Sequence, residues 1–233
     1  YKLRKRFWHF LIIQYIFDSD FITAEQAHTE VEKYLGHGVE VAKHIKFDPG
    51  TLDKAWISNV CAIGLSQSFV EPLEASSIGS SINQTFLLAQ RLVNYNEETI
   101  NRYNLEVTAI MDNIRDFIVL HYITERRDTP FWKAVSEVTL PDSLDKNLRM
   151  WKVRMPIADD MTTHTKKVLF NEYNYALVMH GLGLFDNESI LKQYETVPQG
   201  AKDHVEQSIQ HKLEFDKTKT IPHKLMLQLL RRL

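Results

Sequence analysis

The chain has 233 residues and a formal net charge of −2, so its charge gives no argument for binding nucleic acid or an anionic membrane. Its 44% hydrophobic content can supply a core, and the length fits one large domain or two small ones. Cys61 is the only cysteine, which excludes an internal disulfide and a multi-cysteine metal site and favours a reducing, cytosolic compartment.

The N-terminal stretch, YKLRKRFWHFLIIQYIF, combines a basic start with an apolar run, as a secretory signal does. However, His9 and Gln14 interrupt the run, no small-residue cleavage site follows, and the run is too short to cross a bilayer. We therefore expect a buried strand or helix here in preference to a targeting segment, and no association with a membrane.

The next segments carry clear local signals. TAEQAHTEVEKYLG predicts a helix, with Thr23 and Gln26 as a capping box and Gly36 at its end. AWISNVCAIG predicts a mostly buried strand that ends at Gly64. A loop through Pro72 leads to a predicted helix in which the apolar residues Ile78, Ile82, Phe86 and either Ala89 or Leu92 lie along one side.

The rest of the chain is predicted to be mostly helical. LEVTAIMDNIRDFIVLHYI has the strongest periodicity, through Ile110, Ile114, Phe117, Ile118 and His121. Further helices are predicted to begin at Pro130, in LPDSLDKNLRMWK, in FNEYNYALVMHGLGLF until Gly181, and in the tail after Pro222. The expected fold is mixed α/β and predominantly helical, with strands confined to the first third.

The stretch FVEPLEASSIG, residues 69–79, carries the candidate chemistry. A helix that begins near Ser77 leaves free backbone N–H groups, which suit a halide, a carboxylate or a cofactor edge. The alternative is that Ser76 and Ser77 only cap the helix. Glu74, between apolar neighbours, is either paired, solvated or functional. Glu71 precedes a proline and is expected to be structural, accepting backbone hydrogen bonds in the loop.

Three ordered segments resemble the flavin-dependent tryptophan halogenase family. WISNVCAIGLSQSFVEPLEASSI, residues 56–78, is similar to the family's Asn-Cys/Val-Ala-Ile-Gly-Leu-Ser run followed by Phe-Val/Leu-Glu-Pro-Leu-Glu. Upstream, YIFDSDFITAEQA resembles its Tyr-x-Phe/Tyr-x-Ser-x-Phe-Ile segment, and downstream HYITERRDTPFW resembles its His-Tyr segment ending in Pro-Phe-Trp. The resemblance covers roughly residues 15–132 and is looser beyond.

The resemblance implies a chemistry. Reduced FAD, supplied by a separate flavin reductase, reacts with oxygen and chloride or bromide to give hypohalous acid, which halogenates an electron-rich aromatic such as an indole. By motif, Glu74 matches the catalytic glutamate, and Ser76 and Ser77 match the small residues beside the halide, in place of the commoner threonine and glycine. The cofactor-side matches are Gly64, Pro72 and Ile78; the substrate-side candidates are Phe170, Tyr173 and Tyr175, although such an aromatic stripe is also typical of a core.

The sequence also departs from the family. It contains no Gly-x-Gly-x-x-Gly after a strand, no Trp-x-Trp-x-Ile-Pro and no lysine in the expected N-terminal context. It resembles the C-terminal part of the flavin-monooxygenase-like FAD fold, with residues 1–80 as the later part of the FAD- and halide-binding sheet domain and 81–233 as a mainly helical substrate-side region. The chain alone is expected to be inactive. Alternatives are a catalytically incompetent binding or structural remnant and a hydroxylating flavin monooxygenase relative.

Overall fold

The computed structural model describes residues 15–71, 73–161 and 168–230. The first fourteen residues, for which a strand or helix is predicted, lie outside the described residues. Pro72 lies outside them as well. The chain divides into two compact units. The first comprises residues 1–147 and 156–183, and the second comprises residues 148–155 and 184–233.

The first unit begins with helix α1, Ala24–Leu35, where the sequence predicts it. The backbone N–H of Gln26 donates to the hydroxyl of Thr23 at 3.3 Å, and the backbone N–H of Thr23 donates to the Gln26 side chain at 2.8 Å. The helix ends at Gly36, whose N–H donates to the carbonyl of Glu32 at 2.9 Å. The predicted capping box and the predicted end are therefore both confirmed.

The strands lie between residues 50 and 69 and are short. Strand β1, Gly50–Thr51, pairs antiparallel with β4, Ser68–Phe69. Strand β2, Trp56–Ile57, pairs antiparallel with β3, Val60–Cys61. Described strands are thus confined to the first third, as predicted.

The single buried strand predicted for residues 55–64 is wrong. The backbone reverses at Ser58, which has a φ of 50°, and Ile57 and Val60 on either side of the turn are exposed. Trp56 is buried, and the Asn104 side chain both accepts from its N–H and donates to its carbonyl at 2.8 Å. The Asn104 side-chain amide therefore satisfies the backbone of Trp56 on the edge of β2 that no further described strand covers. Strands of two residues are then enough to keep Trp56 buried.

Helix α2, Ser76–Arg91, buries its polar side. Gln84 is fully buried; its side chain accepts from the Gly64 N–H at 2.7 Å and donates to Gln67 at 3.2 Å. The apolar side is exposed, with relative exposures of 65%, 52% and 66% for Ile78, Ile82 and Phe86. The polar side faces inward because the buried loop before α2 requires amide partners, which an apolar face cannot supply.

Helix α3, Glu97–His121, is the centre of the first unit. It begins before its predicted start, because the Asn96 side chain accepts from the Thr99 N–H at 2.8 Å and caps it. Its predicted periodicity is confirmed by the buried residues Ile110, Ile114, Phe117 and Ile118. Glu106 on α3 is buried and accepts from Arg91 of α2 at 2.8 Å, which ties the two helices together.

The remaining helices of this region follow the predicted order: α4, Pro130–Ser136; α5, Asp142–Trp151; and α6, Glu172–Gly181. The Thr129 hydroxyl accepts from the Trp132 N–H at 3.3 Å and caps α4. Arg126 and Asp128 form an ion pair at 2.9 Å. A short 3-10 helix, Ala158–Met161, lies between α5 and α6.

The second unit contains α7, Asn187–Glu195; α8, Gln199–Lys219; and α9, His223–Leu230. The first two helices escaped the sequence analysis, whereas the helix after Pro222 is confirmed. The N–H of Asp186 donates to the carbonyl of Lys152 at 2.7 Å and joins the two segments of the unit. Across the described ranges, no helix is both long enough and apolar enough to cross a membrane.

Candidate functional site

A left-handed turn, formed by Glu74 and Ala75, joins the loop after β4 to α2. Glu74 has a φ of 55° and Ala75 a φ of 50°, although neither is glycine. Each such residue costs roughly 1–2 kcal/mol relative to an ordinary backbone conformation. Two in succession, on the glutamate that the sequence singled out, indicate a geometry that the surrounding contacts impose. The Glu74 side chain is exposed.

The start of α2 carries no side-chain cap. Ala75 occupies the capping position and has no side-chain oxygen, so the alternative that Ser76 and Ser77 cap this helix is wrong. Ser76 is the first helical residue, and its buried hydroxyl donates to the carbonyl of Glu71 at 3.4 Å. A 3-10 turn, Leu73–Ala75, leads directly into α2, and the backbone N–H groups of the helix start carry the positive end of the helix dipole.

The inner side of this helix start is closely packed. Ser77 is partly buried, and its carbonyl accepts from the hydroxyls of Ser80 and Ser81 at 3.2 and 2.6 Å. The space between this turn, Ser68 and Met111 is too small for a water molecule. An anion at the first turn of α2 would therefore lie outside this packed space, on the side where Ile78 is exposed.

Glu71 has the structural role that the sequence predicted, but with a different partner. Its carboxylate accepts from the Tyr122 hydroxyl, with oxygen–oxygen distances of 2.9 and 3.1 Å, where backbone donors were expected. Burial raises the pKa of Glu71, while this hydrogen bond and the nearby His121 oppose the shift. The His121 ring itself lies 2.8 Å from the carbonyl of Phe117 and is a partly buried structural histidine.

Gly64 is buried against the middle of α2. Its φ is +64°, and a Cβ atom at this position would lie 2.6 Å from the Ser81 hydroxyl oxygen. Two conditions, a left-handed backbone and close approach, therefore require glycine here. Ile78, the other described cofactor-side candidate, is exposed on the outer side of α2, and Pro72 lies outside the described residues.

The three substrate-side candidates differ in exposure. Phe170 and Tyr175 are buried around Phe117, with ring centroids 3.9 and 5.1 Å from it. Tyr173 is 70% exposed. The Asn113 side chain accepts from the N–H of Phe170 at 2.8 Å and so anchors this segment to α3.

The substrate-side segment meets the start of α2 at Gly79. A Cβ atom on Gly79 would lie 2.9 Å from a methyl carbon of Leu169, the residue before Phe170. The structure therefore brings the aromatic segment and the left-handed turn to the same helix start, although they are about a hundred residues apart in sequence. Asn113 was missed by the sequence analysis; an asparagine within the apolar run of α3 was the available signal.

Comparison with known proteins supplies the family. Residues 9–196 match the family described as tryptophan halogenase. The chain belongs to the tryptophan halogenase family. It is 30% identical over 174 residues to tryptophan 6-halogenase SttH of Streptomyces toxytricini and 31% identical over 188 residues to tryptophan 7-halogenase RebH of Lentzea aerocolonigenes. These alignments cover 72% and 73% of this chain but 33% and 35% of the relatives, so the chain spans about a third of their length.

Solved structures agree with the sequence matches. The SttH structure superposes with a TM-score of 0.73 at 26% identity, covering 89% of this chain and 41% of that one. BrvH, a flavin-dependent halogenase from Brevundimonas sp. BAL3, gives a TM-score of 0.71 at 25% identity, covering 92% and 43%. The expected family and the expected mixed, predominantly helical fold of a flavin-dependent halogenase are thus confirmed.

Proposed function

We propose that this chain supplies the halide side and the substrate side of an FAD-dependent halogenase that acts on an electron-rich aromatic such as an indole. The carrying observation is the left-handed turn, which presents the exposed Glu74 beside the uncapped start of α2. Family membership supports a flavin-dependent reaction. When bound, reduced FAD supplies the reducing equivalents with which oxygen converts chloride or bromide to hypohalous acid.

The residues at the helix start fit a halide and a flavin. The helix start at Ser76 and Ser77 would hold chloride or bromide, because it combines backbone N–H donors with the positive end of the dipole. Ile78 continues this surface with exposed apolar carbon, which suits the face of a flavin ring. Gly64 and Pro72 would shape the cofactor side from the loop before α2.

Glu74 and the aromatic segment would act on the substrate. The Glu74 carboxylate is exposed, so it is available to take the proton that leaves the aromatic ring during substitution. Tyr173 is the exposed member of the aromatic set and would contact the substrate, while the buried Phe170 and Tyr175 fix the segment in place. A cytoplasmic flavin reductase would be the partner that supplies the reduced cofactor.

The two proposed functional regions follow one another along the sequence. Residues 1–80 would form the later part of the FAD- and halide-binding sheet domain, and residues 81–233 the substrate-side region. The compact units divide the chain elsewhere, near residues 147, 156 and 183, so the proposed boundary is one of function. It falls just after the left-handed turn and within the first turns of α2.

The first test is titration of the chain with FAD, followed by fluorescence quenching, and then a bromination assay. The assay combines the chain with a polypeptide carrying the family's nucleotide-binding half, FAD, a flavin reductase, bromide and tryptophan. We expect bromide-dependent product from the combined sample, a loss of about a hundredfold or more with Glu74→Gln, and no loss with the matched surface variant Glu98→Gln. Binding of the aromatic without product would favour the remnant, and a hydroxylated product would favour the monooxygenase relative.

A further inference from the structure

The three sequence segments that resemble the family meet in space. The Phe21 ring contacts the Phe131 ring, with centroids 5.5 Å apart, and Phe131 in turn lies 6.3 Å from Tyr122. Trp132 lies 6.1 Å from Tyr122 and carries Arg126 over its face at 4.4 Å. The hydroxyl of Tyr122 leaves this aromatic cluster and reaches the carboxylate of Glu71. Tyr122 thus connects the cluster to the loop before α2.

Glu71 is held at both of its ends. Its carboxylate accepts from the Tyr122 hydroxyl, and its carbonyl accepts from the hydroxyl of Ser76. The left-handed turn lies between these two anchors. Because Ser76 is the first residue of α2, the anchors fix the distance that the turn must span.

The left-handed turn lacks the usual means of stabilisation. Neither residue is glycine, no side chain caps the helix, and the backbone of both residues occupies a costly region. External contacts must therefore hold the turn. The Glu71 contacts to Tyr122 and Ser76 flank it directly, and burial of the carboxylate strengthens its hydrogen bond.

We propose that Glu71 and Tyr122 are positioning residues that hold the left-handed turn and so aim Glu74. That Glu71 and Tyr122 contribute to catalysis rests on the proposed function of Glu74. That they hold the left-handed turn does not depend on it. The family-like segment ending in Pro-Phe-Trp lies far from Glu74 in sequence but acts on it through two contacts. Its aromatic cluster fixes the ring of Tyr122, and Tyr122 in turn fixes Glu71.

Hydrogen exchange of the 233-residue chain tests the proposal. In the helical pattern the amides of Ser80 and Ser81 donate to the carbonyls of Ser76 and Ser77, the first two residues of α2, so their protection depends on the helix start. In Tyr122→Phe and in Glu71→Leu we expect these amides to exchange about tenfold faster or more, because a hydrogen bond to a charged group is lost. Glu71→Gln keeps an acceptor oxygen and should change the rate far less.

The matched control is Tyr95→Phe, which removes a hydroxyl that donates to the carbonyl of Ser58 at 2.9 Å, away from α2's start. It should leave Ser80 and Ser81 unchanged. The proposal is overturned if Tyr122→Phe leaves these two amides unchanged, or if the amides of the α3 core accelerate by the same factor. Such a uniform change would mean a general loss of stability.

The bromination assay gives a separate readout. Tyr122→Phe should lower kcat about tenfold and leave KM unchanged, since the hydroxyl does not touch the substrate in this assignment. If the wild-type chain forms no halogenated product, the proposed function fails, but the exchange result still decides whether Glu71 and Tyr122 hold the turn.

Discussion

Replacing Gly64 by alanine is expected to destabilise the first unit for two separable reasons. The left-handed backbone costs a residue with a Cβ roughly 1–2 kcal/mol. The new Cβ would also lie 2.6 Å from the Ser81 hydroxyl oxygen, which itself donates to the carbonyl of Ser77 at 2.6 Å. Moving that hydroxyl breaks its hydrogen bond, so we expect about 1–3 kcal/mol more from overpacking. The total loss is about 2–5 kcal/mol.

A matched variant separates the two terms. Gly183 also has a positive φ, of 68°, but nothing lies within 4 Å of a Cβ placed there. Gly183→Ala should therefore lose only the backbone term of roughly 1–2 kcal/mol. The double variant Gly64→Ala/Ser81→Ala removes the obstructing oxygen and should recover about 1–2 kcal/mol relative to Gly64→Ala.

Urea unfolding, followed by circular dichroism, measures these differences as changes in the free energy of unfolding. Equal losses for Gly64→Ala and Gly183→Ala would refute the contact with Ser81. A double variant no more stable than Gly64→Ala would refute it as well, because the clash would then not be with the hydroxyl.

Three further perturbations test the core. Glu106→Gln should cost about 1–3 kcal/mol in urea unfolding, because Arg91 loses a charged partner at a buried site. Phe117→Ala should cost about 3–5 kcal/mol, because the stacked Phe170 ring loses its support. Burial raises the pKa of Asp116, so its contribution to stability is fully present below its ordinary pKa, about 3.8, and falls as the pH rises through the raised value. The stability of the wild type relative to Asp116→Asn should therefore decrease in thermal melts as the pH rises above about 4; an increase would contradict this sign.

Local signals in the sequence predicted the elements whose stability is local. The capping box at Thr23 and the apolar repeat of α3 both depend on residues three or four positions apart, and both are confirmed. Family resemblance identified the stretch around Glu74 because its residue types are ordered along the chain. For the two helices the information lies within one or two turns.

The failures have non-local causes. Gln84 is buried because the N–H of Gly64, twenty residues earlier, needs an acceptor, and no pattern within α2 indicates that its polar side faces inward. Tyr122 is 51 residues from Glu71, and no spacing rule connects them. The left-handed turn contains no glycine, so its backbone conformation left no mark in the sequence.

The polar interior and the apolar exterior of α2 have a common explanation. Amide hydrogen bonds through Gln84 are directional, so they fix the rotation of α2 about its axis more tightly than apolar contacts do. That rotation, together with the left-handed turn held by Glu71, sets where the N–H groups of the helix start point. With the polar side used internally, the apolar side, at Ile78, Ile82 and Phe86, remains available beside the proposed halide site. A flavin ring needs an apolar surface next to an edge that carries hydrogen-bond donors. Burial of the polar side of α2 leaves such a surface free for the proposed chemistry.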